Sequence, residues 1–311
     1  LKENKEHLKT KLSKDLVKFL SLEDKWILTK LYNTEKQINQ NFSTFDLNAA
    51  ALRIYDFWLK ELCDVYLELT KAIFYSENEN KKYSSKVLFF VIERALKLFH
   101  PFMPFLTEEL YQRLNLLTNF SQNLESIMLS QFPLPNEKFV FRETEEKMEL
   151  AFLIVKSIRS SRMAFELGNK QLEKVFIKTA KNIKTLREAE QVISVLGKVA
   201  NVEVVDSDFD DGTNFRDCSN DIVTSDITVH LQLSNMIDVD KQLEKMTKRK
   251  KKVEIQLEAL EKKASVVCSD GAKKVPEKIK IEILEKVEDK KKELAKMAES
   301  CKKLAKIKSG K

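Results

Sequence analysis

Apolar residues recur along this chain at two different periods, and the change of period divides it. From residue 21 to about 167 they repeat every three or four positions, the spacing that gathers side chains on one face of an α-helix. Trp26, Ile27, Leu31 and Ile38 mark a first long helix, with Ser21 placed to cap it and Glu23 and Asp24 in its first turn. Residues 1–20 read as a shorter amphipathic helix ahead of it. After a polar break at NFSTFD, a second helix is predicted over 47–75, burying Leu52, Tyr55, Leu59, Leu62, Tyr66 and Leu69. The polar stretch SENENKK separates it from a third, with Val87, Phe90, Val91, Leu96 and Phe99, which ends before Pro101 because proline disfavours helical geometry in the preceding residue. TEELYQRL is predicted to open a fourth, short helix capped by Thr107. The prolines of HPFMPF fix a turn, with Phe102, Met103 and Phe105 filling the interior. Long helices with short connections form a bundle.

LESIMLSQFPLPNE reads as an extended linker. A further helix follows over about 143–167, with Met148, Phe152, Val155 and Ile158 on one face and Gly168 as a left-handed cap. The period then falls towards two. KVFIKT (174–179) and VANVEVVD (199–206) read as strands around a helix that ends near Leu196. DITVHLQL alternates, with Ile227, Val229, Leu231 and Leu233 on one face and Thr228, His230 and Gln232 on the other. In the last 72 residues the helical period returns as a heptad seam: Val239, Leu243, Met246, Lys250, Val253, Leu257, Leu260 and Ala264. Gly271 and Pro276 interrupt it, and a second seam runs through Ile283, Val287, Lys290, Leu294, Met297, Cys301 and Leu304. Two such helices joined by a turn are expected to pack as an antiparallel hairpin. The expected fold is therefore mainly α, in three parts: a helical bundle over 1–135, a helix with a small α/β junction module over 136–236, and a coiled-coil arm over 237–311.

Composition narrows the chemistry. Five glycines in 311 residues, none in a cluster, leave no phosphate-cradling loop. Four dispersed cysteines and three dispersed histidines form no metal-ligand spacing, and unpaired cysteines suit a reduced, cytoplasmic compartment. No apolar run reaches the roughly 20 residues of a membrane span. The net charge of +7 is unevenly placed: residues 240–311 hold 23 Lys plus Arg against 13 Asp plus Glu, whereas residues 1–239 are slightly acidic. A concentrated basic extension points to a polyanionic partner, nucleic acid before an acidic membrane surface. The chain begins with leucine, which fits a piece of a longer polypeptide.

Several segments together resemble the C-terminal region of the valyl-tRNA synthetases, class I aminoacyl-tRNA synthetases. LEDKWILTKL is similar to the entry into that family's anticodon-binding bundle, and FWLKELCDVYLELTK to its next helix. LFHPFMPFLTEELYQRL resembles a phrase shared by the valine, isoleucine and leucine enzymes. SIMLSQFPLP and IVKSIRSSRMAFEL resemble the linker and the helix beyond. HLQLSNMID running into a heptad hairpin is similar to valyl enzymes in particular, of the eukaryotic type. The resemblance implies tRNA binding within a valine–tRNA ligase that acts as a monomer, apart from membranes. Signatures of the HIGH and KMSKS type and an editing domain do not occur here. ATP with magnesium, valine activation and proofreading are thus expected upstream, and this portion alone is expected to be catalytically inactive, with no cofactor or metal of its own.

Reading an anticodon requires aromatic or apolar faces for unstacked bases and cations for phosphates. In the second helix Tyr66 and Leu67 are the candidates for bases, and Arg53, Lys60 and Lys71 for phosphates; Trp58 reads as core, and Tyr66 also fits a core position. In the arm the candidates for the tRNA backbone are Lys248, Arg249, Lys250, Lys251 and Lys252, with Lys262, Lys263, Lys273 and Lys274 nearer the turn. Two alternatives stand beside this reading: the same portion of an isoleucine or leucine enzyme, and a non-catalytic coiled-coil scaffold.

Overall fold

A computed structural model of the chain describes residues 14–75, 81–118, 125–165, 167–168, 170–207, 209 and 218–232, and single positions and short runs of 247–301. The chain divides into two compact units, one of residues 1–152 with 184–196, the other of residues 153–183 with 197–311.

The first unit is helical. A 3₁₀ turn at Lys14–Phe19 occupies part of the span expected to be an amphipathic helix, and residues 1–13 lie outside the described residues. Helix α1 (Leu22–Ser43) starts as the sequence predicts. The Ser21 hydroxyl accepts from the Asp24 N–H, and the Asp24 carboxylate accepts from the Ser21 N–H, so two helix-end donors are satisfied reciprocally. Trp26, Ile27, Leu31 and Ile38 are all buried. Helix α2 (Leu47–Asp56) runs into a π-helical segment (Phe57–Tyr66) and then α3 (Leu67–Tyr75). The predicted second helix is therefore present, but its first half buries a different face. Ala50, Ile54, Phe57, Leu62, Tyr66, Leu69 and Ile73 are buried, whereas Leu52, Tyr55 and Leu59 are exposed. A π turn carries more residues than an α turn, so the buried seam steps by five from Phe57 to Leu62 and the 3–4 count fails upstream of it. Arg53 and Glu61, eight residues apart, bridge this segment through two hydrogen bonds.

Helix α4 (Lys81–Phe99) ends ahead of Pro101. Helix α5 (Pro104–Thr118) begins three residues before the predicted cap: Pro104 takes the first helical position, where its missing N–H costs nothing. Thr107 lies inside the helix, buried, with its hydroxyl donating to the Met103 carbonyl. Phe89, Leu96, Tyr111, Leu114 and Ile127 form a core cluster against which Trp58 packs, its ring stacked on Phe99. The linker is pinned rather than free-running. Asn39 donates to the Pro133 carbonyl and Arg94 to the Leu134 carbonyl, with short 3₁₀ turns at Ile127–Leu129 and Glu137–Phe139.

Helix α6 (Arg142–Ala164) buries Met148, Val155 and Ile158 as predicted. It stops four residues before Gly168, which does adopt the left-handed conformation (φ +57°). The second unit contains a four-stranded mixed sheet of β1 (Leu172–Thr179), β2 (Val199–Asp206), β3 (Cys218–Ile222) and β4 (Thr228–Gln232), in the order β2-β1-β4-β3. Helices α7 (Ile183–Glu188) and α8 (Glu190–Gly197) make the connection between the parallel strands β1 and β2. Strand β3 has no hydrophobic alternation and was not predicted. His230, expected on a polar face, is buried opposite Phe176 of β1.

In the arm, the described seam positions Val253, Ala264 and Val287 are buried, and Leu257, Leu260, Lys290, Leu294 and Cys301 are partly buried, while Ile255 off the seam is exposed. Lys291 pairs with Glu261 at 2.8 Å. The other seam positions, Val239, Leu243, Met246, Ile283, Met297 and Leu304, and Leu233 of the predicted strand, lie outside the described residues.

Candidate RNA-contact surfaces

Two turns of the first unit meet at one end of the bundle. The last turn of α1 carries Phe42, whose ring centroid lies 6.1 Å from that of Phe102 in the α4–α5 turn and 5.7 Å from that of Phe132 in the linker. Close to these rings in the chain, several large apolar side chains are open to solvent, interspersed with exposed Ser43, Thr44 and Asp46. Phe45 is 88% exposed and Phe105 is 91% exposed, with Leu47, Met103 and Leu106 also open to solvent. The expectation that Met103 and Phe105 fill the bundle is thus corrected: starting α5 at Pro104 puts Phe105 on its outer face.

Phe45 also has a left-handed backbone (φ +58°), a conformation bulky side chains rarely adopt. The surrounding turn imposes it. The Asp46 N–H donates to the Asn41 carbonyl at 2.8 Å, the Thr44 N–H donates to the Gln40 carbonyl, and the Asp46 side chain caps α2 by accepting from the Ala49 N–H at 2.9 Å. Strain held in this way around an exposed aromatic is common where side chains are kept for contact rather than for stability. Sequence reasoning missed Phe45 because it sat in a segment read only as a break.

The five predicted bundle residues are placed less favourably. Tyr66 is fully buried, and its hydroxyl donates to Asp24 Oδ1 at 2.6 Å, so no base can stack on it in this fold. Leu67 is half-buried. The Arg53 guanidinium is held by both Glu61 oxygens and by Thr34. Lys60 and Lys71 are exposed and paired with Asp56 (2.8 Å) and Glu68 (2.5 Å) one turn away. Exposed pairs of this kind contribute little and exchange readily with another anion. In the arm, Lys251 and Lys262 are exposed and Lys250 is half-buried, 3.5 Å from Glu254. Lys248, Arg249, Lys252, Lys263, Lys273 and Lys274 lie outside the described residues. Among the described residues no group of His, Cys, Asp and Glu could hold a metal ion, and no helix is long and apolar enough to cross a membrane.

The bundle interior has its own electrostatics. Asp24, fully buried, accepts from the Tyr66 and Ser84 hydroxyls. Burial raises its carboxyl above the usual range, against the pull of those hydrogen bonds, and raises the Tyr66 phenol as well. Beside it Glu23 is 4% exposed, and burial pushes its carboxyl from 4.5 up to about 7. A carboxyl whose folded pKa is raised stabilises the fold below its unfolded pKa and loses that stabilisation as pH rises from about 4.5 through 7. Glu23→Gln should therefore be more stable than wild type at pH 8, by on the order of 2 kcal/mol, and close to it at pH 5. Urea unfolding at the two pH values checks this; an equal difference at both would remove the buried charge as its cause.

Residues 24–177 match the family described as the anticodon-binding domain of tRNA ligase. The helical bundle is therefore an anticodon-binding domain of the tRNA-ligase class. Over most of its length the chain is also similar to valine–tRNA ligases: 30% identical to that of Aquifex aeolicus (88% of this chain, 23% of the relative), 33% to that of Fervidobacterium nodosum (81% and 26%) and 30% to that of Thermotoga maritima (88% and 30%). Residues 24–177 thus carry an anticodon-binding domain of the tRNA-ligase family, and the chain spans about a quarter of the length of the valine–tRNA ligases it is similar to. These relatives are bacterial, and the expected eukaryotic type finds no support in them.

Proposed function

We propose that this chain binds valine tRNA, presenting the anticodon loop to the apolar end of the bundle and the outer part of the tRNA to a basic coiled-coil hairpin over 237–311. The observation that carries the reading is the exposure of Phe45, Leu47, Met103 and Phe105, each within a few residues of the Phe42–Phe102 ring contact along the chain, in a domain of the anticodon-binding family. Exposed aromatic rings offer unstacked bases a face, each stacked base contributing about 1–3 kcal/mol. Lys60 and Lys71 are exposed on the helical stretch that leaves that end. In the arm, Lys250, Lys251 and Lys262, with Lys248, Arg249, Lys252, Lys263, Lys273 and Lys274, would meet phosphates without reading bases. The parts 1–135, 136–236 and 237–311 would divide these tasks as bundle, junction and arm.

Aminoacylation would belong to a longer polypeptide that supplies ATP, magnesium and valine sites, acting as a monomer in the cytoplasm. This chain contributes no HIGH- or KMSKS-type sequence to it. The experiment is binding of the chain to a valine tRNA transcript and to one with an altered anticodon. Wild type should prefer the native anticodon, and Phe45→Ala with Phe105→Ala should lose that preference and at least tenfold in affinity while keeping the wild-type melting temperature. Retention of the preference in the double variant would move base reading away from this end.

A further inference from the structure

Between the near-neutral bundle and the basic C-terminal stretch, residues 153–183 carry seven Lys plus Arg and only two Asp plus Glu. This local excess is hidden in the acidic balance of residues 1–239. The structure shows how part of it is organised. Arg162, near the end of α6, is 7% exposed, and its guanidinium donates to four main-chain carbonyls. Nη1 reaches the Gly197 and Lys198 carbonyls at 3.3 and 3.2 Å, and Nη2 reaches those of Gly168 and Lys170 at 3.0 and 2.5 Å. One buried cation therefore ties together two turns, the one that follows α6 and the one that precedes β2. Each turn carries an exposed lysine, Lys170 and Lys198. Arg159, one helical turn before Arg162, and Lys156 are exposed on α6.

The second observation is conformational. Lys198 has a left-handed backbone (φ +54°), although the residue before it is glycine. Glycine adopts this conformation without steric cost, whereas an L side chain is strained there. A charged side chain is thus kept at a position where a glycine would serve the backbone better.

We propose that this edge of the α/β module is a further phosphate-contact surface for the tRNA backbone, with Lys170 and Lys198 as its contacts and Arg162 as the residue that positions both. The inference rests on the tRNA-binding reading above and adds to it a surface outside both the bundle and the arm. The Arg162 guanidinium is bonded to carbonyls, so its positive charge adds to the potential under the two lysines. Contacts of this kind carry no base identity and fade with salt, because releasing counterions into a more concentrated solution gains less entropy.

The test measures affinity of the chain for a valine tRNA transcript from 50 to 200 mM salt, for wild type, Lys198→Gly, Lys170→Gln and the double variant. Each single change should weaken binding about threefold to tenfold at 150 mM salt, and the double variant should lower the slope of log affinity against log salt by about 1.5–2. The melting temperature of Lys198→Gly should equal or exceed that of wild type, which separates a lost contact from a damaged fold. If wild type binds and the double variant matches it in affinity and slope, the surface is overturned while the bundle and arm reading stands. If wild type does not bind, both fall. If the double variant loses only affinity for anionic lipid vesicles, the partner is a membrane surface and the RNA assignment is overturned.

Discussion

Arg162→Met should cost the second unit about 3–5 kcal/mol, the largest stability loss expected from any single substitution outside the bundle. Hydrogen bonds to charged groups contribute about 1.5–3 kcal/mol each, and although the Lys198 carbonyl also accepts from the Leu172 N–H, the loss of all four at once is large. The guanidinium serves four carbonyls at once, at Gly168, Lys170, Gly197 and Lys198. Methionine fills much of the volume and donates to none of them. The planar fork of arginine is what reaches two turns together, so Arg162→Lys, with one compact ammonium, should recover only part of the loss. Chemical unfolding followed by a probe in the sheet measures it. A loss below about 1 kcal/mol would mean that the two turns satisfy their carbonyls without the clamp.

Asp24→Ala should destabilise the bundle by a similar amount, about 3–5 kcal/mol, since it strands several groups together. The Tyr66 hydroxyl (2.6 Å) and the Ser84 hydroxyl (2.9 Å) would be left without their acceptor inside the core, and α1 would lose its capping box. Asp24→Asn retains one acceptor oxygen and the side-chain volume, so it should cost clearly less. Adding Tyr66→Phe to Asp24→Ala should recover part of the loss, because the stranded phenol is then gone. Additive losses in that double variant would show that the two groups are not coupled.

Much of the fold was legible because local rules and tertiary packing agree. Ser21 and Asp24 cap α1, the apolar positions 26, 27, 31 and 38 all go inside, and strands β1, β2 and β4 fall where the period changes. The disagreements have local physical causes. In α2 the count from Leu62 back to Leu52 assumed 3.6 residues per turn, and the π segment breaks that count, leaving Leu52, Tyr55 and Leu59 outside. Thr107 looked like a cap because threonine at a helix start commonly is one, but Pro104 starts the helix earlier. Strand β3, CSNDI, has no alternation and pairs only because β4 offers it an edge.

The candidate site shows the same division. A basic C-terminal stretch, a helical bundle and the exclusion of loop-based phosphate chemistry follow from residue order alone, since charge, period and glycine content are properties of the chain before it folds; the anticodon-binding class was legible only through the resemblance of particular segments to a known family. Which aromatic rings remain in water does not follow from it. Tyr66 and Phe105 both sit in helical segments with aromatic and apolar neighbours, yet one is buried against Asp24 and the other lies almost wholly exposed. That choice belongs to the tertiary structure, because burial depends on which helix face meets a neighbour, and a single wide turn or an earlier helix start rotates that face. The same holds for Arg162, whose four acceptors come from two turns brought together only by the folded sheet and helix.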